Sequence, residues 1–511
     1  MREREIAVIP MPQKVEFGDG TFSLCNTVFI SGKSQIVEKA AYSLNKRGLD
    51  PQFKSEGVSA DVQFILSSKD ESKVGDLPID TPGAYCLSVG KEGVIISAYS
   101  QNGWFNGLQT LLQLIDTSSS NENGFEIPIV CITDWPRFEW RVFMLDESRH
   151  FSGLEAVKRL LDTMAYYKLN IFHWHLTDSP GWRVEIKTKP ELTIVGSKGN
   201  FSDHGAPNQF YTQEQIREVV AFAKDRHIEL MPEIGMPGHM SAAMRSYPEF
   251  SGGGYDEDPY FTIDPISDSA DKFLKSILDE VAELFIESNV IHFGGDEVFA
   301  HRRWNAHEGV QKLIEEGAFA DEREIESAFN RRMAEYINDL GFVVGGWDEI
   351  FESGLEVEGT LIFWWHHDRP EVLSEILDKG YRVILCPRRP QYFDFIQHET
   401  HTVGRTWGGH NPLEDVYRFP ESLKEYEIHP MKGNVAGISA NLWTEQANSQ
   451  ERRDFLTFPR LLAMAEAAWT AEEKKGWGQF IGTRLRNHIP LLEARGLSFF
   501  NPYIVSNEIP E

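Results

Sequence analysis

Between residues 141 and 443 the chain passes through eight short apolar, strand-like runs separated by stretches with helical spacing, and no other feature restricts its fold as much. The runs are 141–146, 170–176, 228–233, 290–293, 342–347, 360–365, 381–386 and 435–443. A helical crossover brings the chain back to the starting end of a sheet, so successive strands run parallel. Eight such units predict an α/β chain built on a closed (β/α)8 TIM barrel. Helix entries are legible as well: Ser152 with Glu155, and Thr212 with Gln215, have the spacing of capping boxes. Only about a dozen residues separate Trp347 from Thr360, near the minimum for a parallel connection, so the fifth crossover is expected to lack a full helix.

Ahead of Asp134-Trp135-Pro136 the texture differs. Short β-rich runs at 7–11, 61–66 and 94–98 mix with two amphipathic helical stretches, 34–49 (Ile36, Ala40, Leu44) and 102–115 (Trp104, Leu108, Leu111, Ile115). Residues 1–135 therefore read as a small α/β or α+β domain with no chemistry-bearing cluster. Residues 136–511 read as the barrel with a C-terminal helical segment.

Fifty Lys and Arg face 78 Asp and Glu, a formal charge of −28. Such a surface repels phosphate backbones, and no Lys/Arg run exceeds two, so nucleic acid and anionic membranes are excluded as expected partners. No apolar run approaches the roughly 18 residues a membrane helix needs. The chain starts Met1-Arg2-Glu3-Arg4-Glu5 with no apolar stretch behind it, so no signal peptide is expected within it; a periplasmic or secreted location would follow signal removal. Cys25, Cys86, Cys131 and Cys386 show no CxxC spacing and are expected to be buried free thiols.

Catalytic groups of such barrels sit at the C-terminal ends of the strands. In chain order these ends carry Asp146 and Arg149; His173-Trp174-His175 and Asp178; Glu233 and His239; Asp296-Glu297; Trp347 with Asp348-Glu349; Trp364-Trp365; Tyr392 and Asp394; and Trp443 with Glu445. Indoles can stack on the flat C–H face of a sugar ring while carboxylates and an arginine hold its hydroxyls, so a carbohydrate site is predicted. Within Gly294-Gly295-Asp296-Glu297, two adjacent acids on an extended chain would point apart, one toward a leaving-group oxygen and one toward another substrate atom. The HxH pair His173/His175 admits a zinc or iron site instead. That alternative needs further histidines or a bridging lysine at later strand ends, where Trp, Asp, Glu and Tyr predominate, so no metal and no cofactor are expected.

Taken together, Leu145-Asp146-Glu147-Ser148-Arg149-His150-Phe151, the 173–178 run with Gly181-Trp182-Arg183, Pro232-Glu233-Ile234 with Met236-Pro237-Gly238-His239, Gly-Gly-Asp296-Glu297, Tyr392-Phe393-Asp394 and Leu442-Trp443-Thr444-Glu445 resemble glycoside hydrolase family 20, the β-N-acetylhexosaminidases. The resemblance covers nearly the whole chain. It implies an exo-acting retaining enzyme acting on glycans with terminal β-linked N-acetylglucosamine or N-acetylgalactosamine, in which the substrate's acetamido oxygen attacks its own anomeric carbon. It further implies Glu297 as general acid and then base, Asp296 as the orienting carboxylate for the acetamido group, and Tyr392 as a donor to its oxygen. Trp347, Trp365 and Trp443 would wall in the acetamido methyl and sugar face, Arg149, Asp394 and Glu445 would hold ring hydroxyls, and His239 with Asp178 would support the acid's protonation. Trp365 is favoured over Trp364 by strand phase. Gly235 and Ser179 stand where the family often has acids. A two-carboxylate retaining glycosidase and a non-catalytic carbohydrate-binding barrel are the competing readings. Arg388-Arg389, ahead of Tyr392, offer a site for an anionic substituent such as sulfate, weighed against solvated arginines.

Overall fold

In the computed structural model, which describes residues 5–66, 77–78, 81–298, 304–429 and 434–504, period-2 burial in the first part of the chain builds one mixed sheet. Its strands are β1 (Lys14–Cys25), β2 (Thr27–Ser31), β3 (Asp50–Lys54), β4 (Val62–Leu66), β5 (Tyr85–Gly90), β6 (Gly93–Ala98), β7 (Ser119–Asn121) and β8 (Gly124–Asp134). Their order is β1-β8-β5-β6-β4-β2-β3, with β7 beside β8. The two amphipathic helices are Ser34–Asn45 and Gln101–Asp116, the second capped by the Ser100 side chain. Their predicted stripes are buried.

The expected strand at 7–11 does not form, although Val8 and Ile9 are fully buried. Gln113 takes the place of a partner strand: its Oε1 accepts the Ile9 N–H at 2.8 Å and its Nε2 donates to the Ile9 carbonyl at 2.7 Å. The cysteines are free, but only Cys386 is buried; Cys86 and Cys131 are half-buried and Cys25 is exposed. Strand alternation sends Cys86 to the face opposite buried Leu87, which apolarity alone does not reveal. The start of the chain, Met1 to Arg4, lies outside the described residues.

By packing of the described residues, the first compact unit takes 5–141, 164–169 and 458–504, and the second takes 142–163 and 170–457. Buried Asp134 ties the pieces of the first unit together: its carboxylate meets Lys168 Nζ at 3.1 Å and accepts from Tyr85 Oη at 2.6 Å and Trp469 Nε1 at 2.9 Å. The cut at residue 135 is one of chain order, and 1–135 with 136–511 stays our proposed domain division.

The eight predicted barrel strands form with ends shifted by a residue or so, except the third, which runs on to Met236: β9 (Trp140–Asp146), β10 (Ile171–His175), β11 (Glu229–Met236), β14 (Val290–Gly294), β15 (Val343–Trp347), β16 (Thr360–Trp364), β17 (Arg382–Leu385) and β18 (Val435–Leu442). They close into a barrel in chain order, with β18 returning beside β9. A hairpin that the sequence reading did not anticipate, β12 (Ser251–Tyr255) with β13 (Asp258–Ile263), is inserted between the third and fourth barrel strands.

The Thr212/Gln215 capping box forms, with the two reciprocal bonds at 3.2 and 2.9 Å. The one expected at Ser152 does not. Gly153 takes φ +86 and the helix opens at Leu154, while the Ser152 N–H donates to buried Glu147 at 2.6 Å. In the fifth crossover the helix is replaced by a 3-10 turn, Asp348–Ser353. Ile350 of that turn packs so closely on Gly295 and Gly346 that a Cβ there would lie 2.3 and 2.6 Å from its side chain. Only glycine admits this approach, and Gly295 also has φ +86.

Candidate active site

Loops at the C-terminal ends of the barrel strands carry the predicted site residues, and the fold gathers them on one rim. Asp146, at the end of β9, accepts from the backbone N–H groups of Ser148, Arg149 and Thr444 at 2.9, 3.1 and 3.0 Å. It thereby fixes the loop that delivers Arg149. The Arg149 guanidinium pairs with Asp178 at 2.9 Å, lies 3.8 Å from Glu445, and sits 4.9 Å above the Trp443 ring. Trp443 neighbours Trp347 at 5.8 Å and Tyr392 at 5.9 Å between ring centres, and Tyr392 stacks on Trp365 at 6.3 Å with a 19° tilt. Trp364 instead points into the core and is 1% exposed. Asp394 lies close enough to Tyr392 to raise its phenol electrostatically, and 3.9 Å from Arg405.

Beside the aromatic wall, where His175 meets the Trp443 ring at 4.9 Å, runs a carboxylate–imidazole relay. His175 Nε2 meets Asp178 at 3.0 Å, and Asp178 meets His239 Nδ1 at 3.1 Å. His239 Nε2 stands 3.3 Å from Glu297 and 3.5 Å from Asp296. Phe261 of the inserted hairpin packs against the His239 ring at 4.8 Å. Here the extended-chain picture of the acid pair needs correction: Glu297 adopts a left-handed backbone, φ +58, after two glycines at φ +79 and +86. Both carboxylates can thus address the same ring nitrogen.

The shared imidazole does not treat the two acids alike. Burial raises Asp296 to about 6, against the pull of His239. The hydrogen bond from His239 holds Glu297 below the ordinary carboxylate range. His239 is raised well above a free imidazole, because Asp178 and Asp296 outweigh its desolvation, and is charged at neutral pH. Asp178 thus favours the protonated His239 beside Glu297, and His239 favours the ionised Glu297.

A second cluster lies beneath. Glu233 receives Trp347 Nε1 at 3.0 Å and contacts His173 at 2.7 Å, His175 at 2.8 Å and His292 at 3.4 Å, all buried. Glu233 and Asp178 outweigh burial and raise His175 to about 10, whereas burial lowers His173 to about 4. His173, Glu233 and His292 converge closely enough to hold a metal ion, as do Asp348, Glu349 and His366. At 2.7 and 2.8 Å the Glu233 carboxylate is in direct contact with the His173 and His175 nitrogens. Ligands about 2.0–2.1 Å from a tetrahedral zinc stand farther apart, roughly 3.3 Å.

Glu233 and the Asp348-Glu349 pair read as strand-end residues, and His292 as part of its strand, but sequence reasoning assigns none of them a role. Their position was a signal; their partners come from other strands, which spacing does not give. Ser179 and Gly235 fill their places without carboxylates: Ser179 Oγ meets Ser241 Oγ at 2.9 Å, and Gly235 N–H donates to Thr177 at 3.1 Å.

The sequence profile described as glycosyl hydrolase family 20, catalytic domain, matches residues 138–472, and that of family 20, domain 2, matches residues 5–135. The chain belongs to glycosyl hydrolase family 20. It carries that family's catalytic domain on the barrel and the accompanying domain ahead of it. Among its family 20 relatives, a β-hexosaminidase of Porphyromonas gingivalis is 35% identical across 98% of this chain; the chain spans 65% of that protein's length. A β-hexosaminidase of Vibrio furnissii is 34% identical over 90% of the chain and 76% of its own length. The solved structure of a family 20 exo-β-N-acetylglucosaminidase from Vibrio harveyi with N-acetylglucosamine superposes with a TM-score of 0.85, at 31% identity, covering 99% of this chain and 81% of that one.

Proposed function

We propose that this family 20 member is an exo-acting retaining β-N-acetylhexosaminidase that uses the substrate's own acetamido group as nucleophile. What supports the reading is one observation above the rest: Asp296 and Glu297 both reach one imidazole nitrogen and are pushed in opposite directions by it and by burial. Two carboxylates beside one imidazole but shifted in opposite directions suit unlike tasks. The relatives named β-hexosaminidase, and the neighbour holding N-acetylglucosamine, support the same substrate class.

A terminal N-acetylhexosamine would rest its face on Trp443 and its acetamido methyl among Trp347, Trp365 and Tyr392, with Arg149, Asp394 and Glu445 at its outer hydroxyls. Asp296, ionised above about 6, accepts the acetamido N–H and balances the positive charge that grows on nitrogen as the carbonyl oxygen closes onto the anomeric carbon. Closure within one molecule removes the entropic cost of bringing a nucleophile. Glu297 delivers the proton to the departing oxygen and then takes one from water as the ring opens. Its ionised resting state means the proton must arrive as the sugar binds: sugar covering the rim desolvates Glu297, and charged His239 at 3.3 Å supplies the proton.

Parallel assays with aryl N-acetyl-β-glucosaminide and aryl β-glucoside test this. Turnover of the first with at most trace turnover of the second is expected. Comparable rates would favour a two-carboxylate enzyme, and inactivity toward both a binding barrel.

A further inference from the structure

Glu349 belongs to none of the roles above, yet its carboxyl touches two of them. Its Oε2 accepts Trp365 Nε1 at 3.0 Å, on the wall assigned to the acetamido group. Its Oε1 accepts the backbone N–H of Glu297 at 3.4 Å. Asp348, hydrogen-bonded to Glu349, is itself anchored by the N–H groups of Trp365 and His366 at 3.2 Å each and by His366 Nδ1 at 2.6 Å. The close glycine contacts of Ile350 make this arrangement possible, since they seat the turn carrying Glu349 directly against the loop carrying Glu297.

We propose that Glu349 is a positioning residue that sets the acetamido wall and the general acid in register, holding the Trp365 indole and the Glu297 backbone with one carboxyl. Two parts of the reaction depend on that register. Ring closure needs the acetamido oxygen fixed by its wall, and leaving-group protonation needs Glu297 within hydrogen-bond reach of the glycosidic oxygen. The left-handed backbone at Glu297 is strained and persists only where neighbours hold it; the Glu349 contact is one such hold. Burial together with Asp348 and Asp296 raises the Glu349 carboxyl well above its ordinary range. This role rests on the acetamido-assisted reading of the site.

The test compares wild type with Glu349→Ala, Glu349→Asp and Glu349→Gln by two readouts: inhibition by a thiazoline mimic of the cyclic intermediate, and the dependence of kcat/KM on leaving-group pKa across aryl N-acetylglucosaminides. For Glu349→Ala the thiazoline should bind about 10- to 100-fold more weakly, as loss of a held wall and one to two hydrogen bonds implies, and the leaving-group dependence should steepen. Glu349→Asp, one methylene short of both donors, should show both defects more mildly and carries the test if the alanine variant does not fold. Glu349→Gln keeps an oxygen for the indole N–H and a donor for Asp348 but turns its amide NH2 toward the Glu297 N–H, so its thiazoline affinity should stay within about threefold of wild type while its leaving-group dependence steepens. Wild-type values for both readouts in the alanine and aspartate variants would overturn the proposal alone, as would a glutamine variant as impaired toward thiazoline as the alanine one. A wild type insensitive to thiazoline would overturn the acetamido-assisted reading and this role with it.

Discussion

Two carboxylate–histidine clusters share this barrel and differ mainly in depth. At the bottom, Glu233 is 1% exposed and touches three imidazoles and an indole; it is held well below the ordinary carboxylate range while His175 is raised to about 10. At the rim, Asp296, Glu297 and His239 face the pocket, and one of the acids sits near 6. Depth makes the first cluster a fixed charge arrangement that sets side-chain directions. Partial access makes the second a place where a proton can change hands. His175 and Asp178 connect them, so the fixed cluster orients the mobile one.

The largest break in that comparison should come from the rim. In Glu297→Gln, substrates with poor leaving groups should lose about 10²–10⁴ in kcat/KM, the usual contribution of general acid catalysis, while activated aryl substrates keep appreciable ring-closure rates in single-turnover bursts. Asp296→Asn should slow closure by similar factors for both kinds of substrate, because its task does not depend on what departs. Identical leaving-group slopes in the two variants would mean that the acids act as one unit.

Removing the deep carboxylate should show in stability before activity. Glu233→Leu leaves charged His175 to Asp178 without its second buried carboxylate, which costs up to about 3–5 kcal/mol, the usual penalty for breaking a buried pair. Chemical denaturation should show that loss; an unchanged midpoint would mean the cluster carries no net charge pairing.

Next in size is Arg149, whose charge-assisted bonds are worth roughly 1.5–3 kcal/mol, so Arg149→Ala should lower kcat/KM by about 10- to 150-fold in a folded protein. Wild-type kinetics would remove Arg149 from sugar holding.

The smallest effects are in pH. His239 lowers Asp296, so His239→Gln should move the acid limb of kcat/KM upward from about 6. A limb that stays in place or falls would detach Asp296 from it. For the deep cluster the sign differs by partner. The raised pKa of His175 stabilises the fold fully below its unfolded value near 6.5, and this is lost as pH rises toward about 10. Glu233, depressed, contributes above its unfolded value near 4.3 and loses that contribution as pH falls. The melting temperature should therefore decline between pH 6.5 and 10, and that decline should flatten in Glu233→Gln.

Much of this was readable from the chain because strand ends are one-dimensional information. Eight apolar runs give the barrel, and the last residue of a run and the few after it lie at its rim; Arg149, Trp347, Trp443 and the Asp296-Glu297 pair stand there. What the chain hid was set by neighbours distant in sequence. Glu297 reads as the extension of a strand, yet Gly294 and Gly295 turn it left-handed. Ser152 has capping-box spacing, but Glu147 claims its N–H. Gln113 looks like any helical polar residue until it pairs with Ile9. Glu349 was visible at a strand end, while its double contact depends on glycine approaches that only the folded turn discloses.

The most direct test of the account is the rate of aryl N-acetyl-β-glucosaminides whose acetamido group carries none, one, two or three fluorines. Fluorine withdraws electron density from the carbonyl oxygen while barely changing the group's size. If that oxygen is the nucleophile, kcat/KM should fall steeply and monotonically with each fluorine. A flat series would contradict acetamido participation and return the chemistry to an enzyme carboxylate.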